Sequence, residues 1–148
     1  MVQLNYSGNK KHIFNAVAKA NQILQNPAFY SEIGKFPPFH FSSLTPIEIT
    51  KLMENSEWRI TVRGAFKPIA NASTSTHDLI KVSTINFSRD LATGVNTLIH
   101  ETVHAIDLEN GTLEFTHDGN SPDGQENTAP WRIGELAERI ASGEPVLG

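Results

Sequence analysis

At 148 residues, 39% of them hydrophobic and 19% charged, the chain is long enough for one domain with a real core and too short for two comfortable ones. Its net charge of −4, with no basic patch, makes nucleic acid a poor partner, and no apolar run approaches the roughly 18 residues that mark a membrane span. With no cysteine, disulfides and thiolate metal sites are both excluded.

Met1 to Asn9 reads as a loose polar lead-in. It lacks the hydrophobic stretch of a secretory signal, so a cytoplasmic location is expected, any export following another route. Ile13, Val17, Ala20, Ile23 and Leu24 recur at helical spacing and predict a helix from Lys10 to about Gln25. Asn26-Pro27 resembles a cap and first-turn proline opening a second helix to about Ile33, closed by Gly34. Phe36 to Ser43, with Pro37 and Pro38, predicts a loop and then a short strand from about Phe39 to Ser42; His40, alone between two phenylalanines, reads as a packing or surface residue. Thr45-Pro46-Ile47-Glu48 has the cap, proline and acid of a helix start, and that helix should reach Glu54 or Asn55.

Trp58 to Arg63 alternates as a strand, ended by Gly64, and Asn71 to Thr76, small and polar, reads as a turn or exposed loop. Asp78 to Phe87 is a second strand, with Ile80, Val82 and Thr84 on one face. Ser88 or Asp90 then caps a helix running from about Leu91 or Thr93 to Glu109, stopped by Asn110-Gly111. Thr112 to Asn127 carries no strong signal and is dense in turn formers. A last helix starts near Thr128 or Ala129, with Ile133, Leu136, Ala137 and Ile140 as its apolar stripe and Gly143 at its end; Glu144 to Gly148 is a tail. The sum is an α+β fold in a single domain, residues 1–148, with a small sheet of about three strands packed on helices.

The chemistry is concentrated in His100-Glu101-Thr102-Val103-His104. At about 100° per residue both histidines share one helix face, with Asn96 and Asp107 close by, while Val95, Ile99, Val103 and Ile106 form an apolar stripe beside them. Two imidazoles at i and i+4 can bind one Zn²⁺, and a neighbouring carboxylate can take a proton from water held there. The strand before this helix could pair along an open edge with an extended peptide.

This His-Glu-x-x-His helix, with the order strand, motif helix, loop, final helix from about Trp58 to Ser142, resembles the zincin metallopeptidases. The short length and element order are further similar to compact bacterial effector or toxin-associated zincins. The resemblance implies a zinc-dependent peptide hydrolase acting on a peptide or protein, one Zn²⁺ held by His100 and His104, a third ligand downstream, and Glu101 as general base rather than ligand. The metzincin pattern is excluded, because Asp107 and Asn110 stand where it requires Gly and His.

For the third ligand, His117 in the turn-rich loop is favoured, since it would give three neutral imidazoles and leave a fourth position for water. Glu126 and Glu114 are the alternatives, Glu114 lying in a Gly-Thr-x-Glu turn similar to that of aspzincins, and Glu135 is also eligible by spacing. Asp107 and Asp118 are candidates to accept a ligand imidazole N–H, and Arg132 and His77 to stabilise an oxyanion. Two other readings stay open: a zinc-stabilised binding module that kept the fold without turnover, and a metal-free scaffold.

Overall fold

The structure is a computed structural model and describes residues 1–55, 57–66, 71–110, 115–116 and 125–144. Among these the elements run β1 (Gln3–Asn5), α1 (Lys11–Leu24), α2 (Pro27–Gly34), α3 (Pro46–Asn55), β2 (Arg59–Ala65), β3 (Ala72–Thr76), β4 (Leu79–Ser83), α4 (Leu91–Asn110) and α5 (Ala129–Ala141). The fold is α+β as expected, but the sheet has four strands, in the order β1-β2-β4-β3. β1 and β2 pair in parallel, as do β2 and β4, while β3 lies antiparallel on the outside of β4. No helix among the described residues is long and apolar enough to cross a membrane.

Helix boundaries follow their caps. The Asn26 side chain accepts the Ala28 N–H at 3.1 Å, with Pro27 in the first turn. Thr45 and Glu48 bond reciprocally, Thr45 N–H to Glu48 Oε1 at 3.0 Å and Glu48 N–H to Thr45 Oγ1 at 3.2 Å, which satisfies two donors that a helix start leaves open. Hydrogen bonding from the Thr45 backbone N–H and then its side chain holds the Glu48 carboxyl below its ordinary range. At α4 the cap is Asp90, whose Oδ2 accepts the Thr93 N–H at 2.9 Å and the Thr93 hydroxyl at 2.7 Å.

In the sheet the two expected strands form as β2 and β4, but the edges differ from expectation. The lead-in is not loose: Val2 and Leu4 are fully buried, and Gln3–Asn5 forms an edge strand. Side chains of α1 complete it, Asn21 accepting the Leu4 N–H and donating to the Leu4 carbonyl, both at 2.8 Å. Asn71 to Thr76 is not a loop but contains β3, the other edge. Consequently β4, which could have offered an open edge, is interior, and among the described residues the outer strand beside the motif helix is β3. β4 is also shorter than expected, because the Ser83 hydroxyl accepts the N–H groups of Ile85 and Asn86 and turns the chain. The predicted strand at Phe39–Ser42 reduces to two isolated bridges, His40 with Thr128 and Ser42 with Phe115. Between them Phe41, 61% exposed, has φ 55°, a left-handed conformation that costs an ordinary residue about 1–2 kcal/mol and breaks the strand there.

One core holds the elements together. Val95, Leu98, Ile99, Val103 and Ile106 of α4 are buried with Ile60 and Val62 of β2 and Ile80 and Val82 of β4, and α4 packs on α1, α5 and β3. A helix enclosed on several sides presents side chains from a fixed frame. The two histidines inherit that rigidity.

Candidate active site

His100 and His104 lie one turn apart on α4, both half-buried. Their rings meet at 62° with centroids 5.0 Å apart, and the two Nε2 atoms stand 3.3 Å from each other. That distance tests whether the pair fits a metal. Two nitrogens each about 2.0–2.1 Å from a tetrahedral Zn²⁺ must lie about 3.3–3.4 Å apart. The pair therefore has the spacing of a two-toothed imidazole chelate, and 3.3 Å is long for a hydrogen bond between ring nitrogens.

α5 sets the orientation of His100. Trp131 meets its ring edge-on, with centroids 4.8 Å apart at 80°. One turn further along α5, Gly134 faces Asn96 and His100 so closely that a Cβ there would run into the Asn96 side-chain oxygen, stand 3.1 Å from the Asn96 carbonyl and 3.3 Å from His100 Cβ. Asn96 cannot readily swing away, because its amide donates to Glu138 Oε2 at 2.6 Å. Gly134→Ala should therefore push α5 off α4 and destabilise the protein by about 1–3 kcal/mol. Urea unfolding measures this directly, and an unchanged midpoint would show that the contact relaxes without cost.

Glu101 is half-buried and touches the edge strand: Thr74 Oγ1 lies 2.8 Å from its carbonyl oxygen and 2.8 Å from its Oε2. Asp107 is 1% exposed, and its Oδ1 accepts the Phe115 N–H at 3.3 Å. This carboxylate, expected to orient an imidazole, ties Phe115 back onto the helix, with the Phe115 side chain fully buried beside it.

No family model, curated protein or solved structure matches this chain.

The remaining candidates separate. His117, Glu114 and Asp118 lie outside the described residues. Glu126 is exposed in the turn before α5 and Glu135 is exposed on α5. No group of three His, Cys, Asp or Glu that could hold a metal occurs among the described residues. Arg132 stacks over Phe36, its guanidinium carbon 4.8 Å from the ring centre, and donates to Asn127 Oδ1 at 3.0 Å. His77 lies 2.8 Å from Glu109, at the last turn of α4. These contacts engage both residues proposed for the oxyanion. What the spacing of residues missed is Thr74 and the Asn96–Glu138 pair. Gly134 beside a helix stripe was the available signal for the second; a hydroxyl on a strand taken for a loop gave none for the first.

Proposed function

We propose that this protein is a zinc-dependent metallopeptidase, a minimal zincin-like domain hydrolysing a peptide or protein substrate, and that His100, His104 and His117 hold one Zn²⁺. The observation that carries the reading is the 3.3 Å separation of the two Nε2 atoms on a helix fixed from several sides. Zinc held there would supply Lewis acidity towards an amide carbonyl and would acidify a bound water.

The chain's own groups supply the rest. Glu101, half-buried and in contact with β3, accepts a proton from the attacking water and returns it to the leaving amine. The outer edge of β3 offers backbone N–H and C=O groups along which an extended substrate can add as a further strand. The element order favours the compact effector or toxin-associated group within the zincins.

Elemental analysis tests the reading. The purified protein should carry zinc near one ion per chain, and His104→Ala should lose it while retaining the helical signal. Wild-type protein that refuses zinc sinks the proposal in favour of a metal-free scaffold. Zinc bound tightly without turnover of any peptide favours the binding module.

A further inference from the structure

We infer that Thr74 is a positioning residue for the Glu101 carboxylate, so that the strand expected to receive the substrate also aims the general base. The inference rests on the hydrolytic reading above and adds to it a residue outside the motif helix.

Its basis is local geometry. Ser and Thr side chains on an edge strand ordinarily face water, as Ser75 and Thr76 do here. Thr74 instead turns its hydroxyl onto α4, 2.8 Å from both the carbonyl oxygen and the Oε2 of Glu101. The register explains how. Thr74 stands opposite Ile80 and Thr76 opposite Leu79, so two steps on β3 match one on β4 and Ser75 is the extra residue of a bulge. A bulge bends an edge strand and re-aims the side chains beside it.

The chemistry follows from the inventory of the groups. A threonine hydroxyl has one proton to donate, shared here between a peptide carbonyl and a carboxylate, and the bond to an ionised carboxylate is the stronger. A carboxylate held through one oxygen cannot spin about its last bond, so its other oxygen is presented in one direction. The β-branch of Thr74 adds stiffness, because it restricts χ1 where serine would turn. A residue that merely glued β3 to α4 would need only the contact to the Glu101 carbonyl. The second contact, to Oε2, reaches the group that moves the proton. Any backbone paired with β3 is then placed by the same strand that orients the base.

The test compares Thr74→Val, which keeps the shape and removes the hydroxyl, with Thr74→Ser, which keeps the hydroxyl. The substrate is a pool of internally quenched peptides randomised around the central bond. In the zinc-loaded protein, Thr74→Val should lower kcat by about 10²-fold, the loss expected from misplacing a reacting group by about 1 Å, with KM, zinc content and Tm near wild type. Thr74→Ser should recover most of the rate. Independently of turnover, the Thr74 hydroxyl proton should exchange slowly with water and show a nuclear Overhauser contact to the Glu101 side chain.

A wild-type rate in Thr74→Val overturns the inference while leaving the hydrolytic reading standing. So does a loss of rate that serine does not restore, or absence of the hydroxyl contact. A wild-type protein that is inactive on the pool although the hydroxyl contact is intact overturns both.

Discussion

Glu101→Gln should leave zinc bound at wild-type stoichiometry and lower turnover of a susceptible peptide by about 10²–10⁴-fold, the usual contribution of a positioned acid–base group. The substitution is close to isosteric, and it keeps an oxygen able to accept from the Thr74 hydroxyl, so the contact between α4 and β3 persists. What it removes is the ability to take a proton near neutral pH. The metal should be indifferent, since the pair with chelate spacing is His100 and His104, and Glu101 lies about 100° round the helix from His100. Turnover and metal content must therefore separate in this variant. Full activity with glutamine at 101 would end the general-base assignment. Loss of zinc would make Glu101 a ligand and require the site to be redrawn.

What could be read from the residues, and what could not, divides along a physical line. Local chemistry was legible wherever it was self-contained. Asn26-Pro27, Thr45-Pro46-Ile47-Glu48 and Asp90 each satisfy helix-start donors within four residues, and the structure has those bonds. The 3.6-residue period of Val95, Ile99, Val103 and Ile106 likewise predicts a buried stripe, and all four are buried. The sheet edges were not legible, because their pairing is supplied by distant partners. β1 is three residues long, too short for a period, and depends on Asn21 of α1. β3 is Ala-Ser-Thr-Ser-Thr, without apolar alternation, and is a strand because β4 offers it a ladder. Phe41 failed in the opposite sense: an aromatic run with strand propensity is interrupted by one left-handed residue between two bridges. In the site, the motif gave the two histidines and the glutamate. Trp131, Gly134 and Thr74 come from other elements, and only folding brings them to α4.

Of His117, Glu126 and Glu114 as the remaining ligand, His117→Ala should reduce zinc affinity the most, by more than the roughly 10–100-fold that loss of an outer hydrogen-bonding partner costs. Glu126→Ala and Glu114→Ala should stay within a few-fold of wild type, all three compared by competition with a chelator. The expectation follows from the anchor at Phe115. Its N–H is bound to Asp107, one turn beyond His104, its side chain is fully buried, and it bridges to Ser42. The chain is thereby fixed beside the C-terminal half of α4. His117 is two residues further on, and two residues span at most about 7 Å. A neutral imidazole tethered at that distance can join two others without adding charge to a half-buried site, whereas a carboxylate would carry one in. Glu114 shares the tether but not that advantage, and Glu126 is exposed in a turn held by the Thr128 N–H bonded to the Gln125 carbonyl at 3.0 Å. Zinc retained by His117→Ala and lost by Glu126→Ala would move the site to a two-histidine, one-glutamate set. The same pattern with Glu114→Ala would make Glu114 the third ligand. Either result would leave the proposed role of Glu101 standing, because its contacts to Thr74 lie on β3 and α4 and do not involve any of the three candidate ligands.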